Sequence, residues 1–173
     1  MEFTEISPWD FSFAPFALVG KEKMLLSATD ARGTNVMTVA WGGFGVMWGA
    51  PCVFFAIRPS RYTYSFAEAG TRASLMALKK GSDAALSYCG THSGREENKL
   101  DGAGLTPCAL PSGGFAVEEA EIVFDLQKLY SHRIAPTEFW SQNAVAKWYD
   151  RGDFHMLYVA SVEKIYLREP SFH

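Results

Sequence analysis

Two short clusters of polar and cationic side chains bracket the longest charge-free stretch of the chain. Asn35-Val36-Met37-Thr38-Val39-Ala40-Trp41 opens it, Arg58-Pro59-Ser60-Arg61-Tyr62-Thr63 closes it, and no charged residue falls between Asn35 and Ile57. Polar groups, an aromatic wall and two cations in that combination suit a flat, anionic ligand. If the first cluster is extended, Met37, Val39 and Trp41 lie on one side and Val36, Thr38 and Ala40 on the other, so one strand can serve a core and a ligand together. Asn35 and Thr38, polar in an otherwise uncharged run, read as ligand contacts, and Ser60 and Thr63 as hydrogen-bond donors beside Arg61.

Further along, Ser93-Gly94-Arg95-Glu96 has the spacing of a capping box and predicts a helix start at Ser93 running through Lys99. Unpaired N–H groups at such a start attract anions. Arg58, next to Pro59, either reaches the same anion or holds its own loop by pairing with an acid. His155 closes the turn Gly152-Asp153-Phe154-His155, and histidine titrates near neutral pH. His92 and His132 read as surface residues. Neither the four histidines nor Cys52, Cys89 and Cys108 show metal-ligand or disulfide spacing, so no metal is expected, and reduced thiols point to the cytoplasm.

The elements that must position these groups can be read from pattern. The charge-free stretch is about as long as a bilayer span, but Gly42, Gly43, Gly45, Gly49 and Pro51 interrupt it and no basic loops flank it. It reads instead as strands over 36–41 and 52–57 joined by a glycine-rich connection, each buried on two faces. Strands are also predicted over 18–28 with an interruption at Gly20, over 73–78, around Leu105, over 116–133 with polar residues outward, and over 154–167. Helices are predicted over 62–69, capped by Ser60 and ended by Gly70, from Ser82 to Tyr88 with Gly90 as the stop, and over 136–149. Residues 1–15, with Phe3, Trp9, Phe11 and Phe13, form an arm over apolar surface, suited to contacting a partner subunit. With 48% hydrophobic and 14% aromatic residues the chain is not disordered, and a net charge of −3 argues against nucleic-acid binding. Many short strands without a βαβ rhythm predict one domain over 1–173, mainly β with short helices and barrel-like.

The two halves of the central run, together with Ser87-Tyr88-Cys89-Gly90, Ser93-Gly94-Arg95-Glu96-Glu97-Asn98-Lys99 and the late Gly-Asp-x-His turn, resemble the flavin reductase-like family that includes flavoredoxin. Where that family continues toward a Gly-Glu pair, this chain has Ala160-Ser161. The resemblance implies a split β-barrel of Greek-key antiparallel strands, a homodimer, and FMN bound near the subunit interface. It casts Arg61 and Lys99 as cations for the phosphate, with Ser60, Thr63 and Ser93 as donors and Arg58 nearby. It places the ring along Asn35, Met37, Thr38 and Trp41. His155 is then expected near the open flavin face, positioning a second substrate. The implied activity is an NADH- or NADPH-dependent flavin reductase passing electrons to a flavin, a small acceptor or a partner protein. The alternative is an electron carrier without nicotinamide activity.

Overall fold

The computed structural model describes residues 3–168. Its frame is an antiparallel sheet of eight strands: β1 (Phe3–Ile6), β2 (Met24–Asp30), β3 (Gly33–Val39), β4 (Gly42–Met47), β5 (Ala50–Ile57), β6 (Arg72–Leu78), β9 (Ala120–Arg133) and β10 (Met156–Arg168). A separate hairpin joins β7 (Pro107–Ala109) to β8 (Phe115–Val117). The strand order is β3-β2-β6-β9-β10-β5-β4, and β1 lies against the far end of β10. One edge of β10 follows β9, and the other is divided between β5, which takes Met156–Ser161, and β1, which takes Ile165–Arg168. Bulges near Val159 and Val162 bend β10 between those two halves. The mainly antiparallel β architecture expected from the sequence is the one observed.

Each face of the sheet has its own core. Leu26, Met37, Val53, Phe55, Phe124, Leu126 and Tyr158 fill one, and Phe11 and Phe13 of the N-terminal segment pack against it. Phe13 meets Phe44 edge-on at 4.7 Å and Phe124 at 5.5 Å. The other core joins Leu25, Val36, Met76 and Val123 to Leu86 and Cys89 of α3 (Asp83–Thr91) and to Ala116 and Val117 of β8. Each such aliphatic side chain contributes about 1.5–3 kcal/mol on burial.

Several local expectations change. The glycine-rich connection is itself strand β4, because an edge strand opposite Phe54 and Phe55 tolerates glycine, and at Gly42 a Cβ would lie 2.1 Å from the Phe54 carbonyl oxygen. Residues 15–22 are helical, as α1 (Pro15–Ala17) and a π-turn (Leu18–Glu22), so β2 begins only at Met24. Helix α2 (Tyr62–Ala69) has the expected extent, but its cap is Arg61 and not Ser60, whose hydroxyl turns to Asp153. Gly70 ends that helix through close approach, since a Cβ there would meet the Thr29 carbonyl oxygen at 1.8 Å. Helix α3 runs through Gly90, and Leu105 lies outside any strand.

No helix starts at Ser93. The 93–97 segment is a turn, and α4 (Lys99–Ala103) is capped by Asn98, whose side chain accepts from the Leu100 amide. The 136–149 region is helical only at Pro136–Glu138 and in α5 (Gln142–Trp148). On β9 the alternate face is not solvent: Val123 and Asp125 are buried, and Asp125 is held by Arg72 at 2.7 Å to each oxygen and by Ser112 at 2.6 Å. Among the described residues no helix is long and apolar enough to cross a membrane.

Candidate functional site

Two adjoining hollows share Arg61. The first, of about 250 Å³, is lined by Met37, Thr38, Trp41, Arg58, Trp148 and His155 among others. The second, of about 280 Å³, is lined by Ser60, Thr63, Ser93, Gly94, Arg95 and Lys99 among others. One is walled by aromatic rings and the other by hydroxyls, three cations and one acid, Glu96. The cation clusters of the sequence, 38 positions apart from Arg61 to Lys99, therefore meet in space.

They meet at one atom. Lys99 Nζ donates to the Cys89 carbonyl oxygen at 2.8 Å, and Arg61 Nη2 donates to the same oxygen at 3.4 Å. That carbonyl belongs to the last turn of α3, where unpaired carbonyls and the helix dipole favour cations. Among the described residues neither cation makes an ion pair, although Lys99 is only 3% exposed. Burial pulls the Lys99 ammonium down to about 8, and the neighbouring Arg61 charge pulls the same way. Burial also lowers the Arg61 guanidinium. Glu97 opposes those pulls on Lys99, and Glu96 lines the same hollow, but neither forms an ion pair with the cations. A buried and a half-buried cation side by side without a direct ion pair are costly unless an anion joins them.

The surrounding groups fit such a partner. Tyr62 and Thr63, in the first turn of α2, line the same hollow, and that turn carries N–H groups without helical partners. Asn35 braces the floor: its Nδ2 donates to Thr63 Oγ1 at 2.7 Å, and Gly94 lies so close that a Cβ would meet Asn35 Oδ1 at 2.2 Å. Ser93 Oγ accepts from the Arg95 amide at 3.3 Å, and the Arg95 guanidinium lies 4.9 Å over Tyr62. Arg95 was missed as a site residue although it stood inside the Ser-Gly-Arg element.

In the first hollow, Thr38 donates its hydroxyl to the Leu86 carbonyl, which ties β3 to α3. Met37 is mainly a core residue whose edge reaches the hollow. Trp41 faces Trp148 edge-on at 5.0 Å and lies 4.7 Å from the His155 ring. Arg58 spends its two terminal nitrogens on the carbonyls of Asp153 and Trp148, both at 2.8 Å, so it holds the 148–153 loop through carbonyls and not through an acid. Ser60 secures the same loop at Asp153 Oδ2, 2.5 Å away. His155 is buried and bonded through Nδ1 to the Tyr149 hydroxyl at 2.9 Å; burial, then the Arg58 charge, pull its pKa down to about 4. His92 and His132 are exposed, His92 stacked on Tyr88 at 3.7 Å. Trp148 and Tyr149 were not anticipated, because only the folded loop brings them to Trp41 and His155.

A family model described as flavin reductase like domain matches residues 18–172. The chain belongs to the flavin reductase-like family. Among solved structures it resembles an FMN-binding domain of a flavin reductase-like enzyme from Shewanella baltica, at 15% identity and a TM-score of 0.71 over 99% of this chain and 80% of that one. It also resembles an FMN-binding protein from Thermus thermophilus with bound 1-cyclohex-2-enone, at 20% identity and a TM-score of 0.69 over 97% and 79%. Flavoredoxin of Desulfovibrio vulgaris gives 18% identity and a TM-score of 0.68 over 98% and 80%. A search of curated proteins finds no match. These likenesses establish for this flavin reductase-like chain the split-barrel fold of its neighbours.

Proposed function

We propose that the chain binds FMN and works as an oxidoreductase, taking electrons from NADH or NADPH and passing them to a flavin, a small acceptor or a partner protein. The observation that carries this reading is the pair Arg61 and Lys99, both on the Cys89 carbonyl and, among the described residues, without a direct ion pair to a carboxylate. A phosphate of nearly two negative charges supplies the missing partner. Thr63, Ser93 and Arg95 would add donors around it, and Met37, Thr38 and Trp41 would border the ring in the adjoining hollow. Asn35, expected at the ring, instead braces Thr63, and the Ser60 hydroxyl, expected at the phosphate, is given to Asp153. The FMN-binding neighbours support the same choice of cofactor.

The chain's own contribution is to bind, orient and keep the ring hollow shielded, while a bound flavin supplies the redox chemistry. Arg58 and Ser60 hold the 148–153 loop, which sets Trp148 and His155 beside Trp41. His155, kept neutral by burial, suits positioning a second substrate rather than acting as a base. The visible spectrum of the purified protein tests flavin binding. Stopped-flow mixing with reduced nicotinamide tests turnover, with rapid bleaching of the bound flavin's visible absorbance as the expected signal. Bound flavin that stays oxidised for minutes would favour the carrier reading, for which the likeness to flavoredoxin speaks.

The free cysteines Cys52, Cys89 and Cys108 support a reducing, cytoplasmic setting. A homodimer fits the surface: β4 is an uncharged edge strand, and Val46, Met47 and Trp48 are exposed at its end, with Trp48 6.1 Å from Tyr130. Sedimentation of the full chain tests this, and a Trp48→Lys variant should shift it toward monomer.

A further inference from the structure

Tyr149 lies just beyond α5 and is buried, its ring stacked on Phe154 at 4.4 Å and capped by the Arg58 guanidinium at 5.2 Å. Its hydroxyl has one side-chain partner, Nδ1 of His155 at 2.9 Å. Which of the two donates follows from what each choice leaves unpaired. If Nδ1 carried the proton, the buried phenol O–H would have no acceptor; if the phenol donates, only a lone pair is left over. The phenol therefore donates, and the neutral imidazole keeps its proton on Nε2.

Among the described residues Nε2 has no hydrogen-bond partner. Among the described residues no buried side-chain nitrogen or oxygen lacks one, so Nε2 must reach accessible space, and His155 lines the Trp41 hollow. The slot thus presents the neutral His155 N–H between aromatic walls, with the Arg58 nitrogens already committed to carbonyls. A donor of that kind matches a carbonyl oxygen on a flat ring.

We propose that Tyr149 is a positioning residue: its hydroxyl fixes the Nε2–H form of His155, which offers that N–H to the carboxamide carbonyl of a nicotinamide seated against Trp41. The proposal rests on the nicotinamide reading above for its ligand and on this chain alone for its tautomer. Tyr149→Phe removes only the hydroxyl and keeps the stacking on Phe154.

Long-range proton–nitrogen NMR of the flavin-free protein, with His155 assigned from a His155→Ala spectrum, reads the tautomer directly. The expected result is a single Nε2–H form in the wild type and a mixture of both neutral forms in Tyr149→Phe. A wild-type Nδ1–H form, or an unchanged ring in the variant, overturns the proposal. With FMN bound, Tyr149→Phe should raise KM for reduced nicotinamide about twofold, the reciprocal of an evenly populated Nε2–H form, and leave kcat unchanged. An unchanged KM overturns the ligand half. If neither protein is bleached by reduced nicotinamide, the nicotinamide reading itself fails and the ligand half with it, while the tautomer result is judged on its own spectra.

Discussion

Arg61 and Lys99 donate to a single acceptor, the carbonyl oxygen of Cys89 in the last turn of α3. The chain thus gathers two cations from distant segments onto the negative end of one helix, and among the described residues leaves them without a direct ion pair. That arrangement costs stability unless an anion arrives, and the first predictions follow from it.

Lys99→Ala should weaken FMN binding by about ten- to more than a hundredfold, the loss of a charge-assisted hydrogen bond of roughly 1.5–3 kcal/mol. Fluorescence titration reads it. Riboflavin, which lacks the phosphate, should bind wild type and variant alike. Equal FMN affinities would remove Lys99 from the site.

Without flavin the same residue is a liability. Lys99 is pulled from 10.5 down to about 8 by burial, so between those values the unfolded chain holds more protons than the folded one, and stability rises with pH. Below the lower value the folded protein carries the full cost of the buried charge. Flavin-free Lys99→Met should therefore melt above wild type near about pH 7, and that advantage should shrink toward about pH 10. With FMN present at neutral pH the order should reverse. Melting curves that ignore pH in this range would show that the ammonium is not buried.

Gly94→Ala places a methyl group where Asn35 Oδ1 now stands, 2.2 Å from the new Cβ, and 3.2 Å from Tyr62. The brace from Asn35 to Thr63 should break, and FMN affinity should fall. Adding Asn35→Ala removes the clash, so the double variant should fold better than the sum of the two single changes. Thermal melts of the four proteins complete that cycle.

Arg58→Met separates two roles for this residue. Its terminal nitrogens bind the carbonyls of Trp148 and Asp153, so the change should cost about 2 kcal/mol in stability and open the 148–153 loop to proteolysis. FMN affinity should fall less than in Lys99→Ala. The opposite ranking would make Arg58 a phosphate ligand.

Much of this was legible in the sequence because the strongest patterns are local. The alternation of Ile122, Phe124 and Leu126 marks β9, and Tyr62 to Gly70 marks α2 with its stop. The cation clusters could be named because charge is so scarce around Arg58 and Arg61. What stayed hidden depends on tertiary contact. Asp125 reads as a surface acid until Arg72 and Ser112 are seen to bury it. β4 reads as a loop because its glycines have poor intrinsic strand preference, which an edge position opposite β5 overrides. The Ser93 capping box failed because Asn98 caps the helix that does form. Trp148 and Tyr149 gave no signal as site residues, since Arg58 and Ser60, distant in sequence, decide where their loop lies.

Because a peptide oxygen already occupies the attention of both cations, their side chains need not search for a pose when a phosphorylated ligand diffuses in. On the FMN reading, loading would be an exchange of acceptors at a preset grip. If FMN binds there as proposed, release and recapture would leave the shape of the protein unchanged.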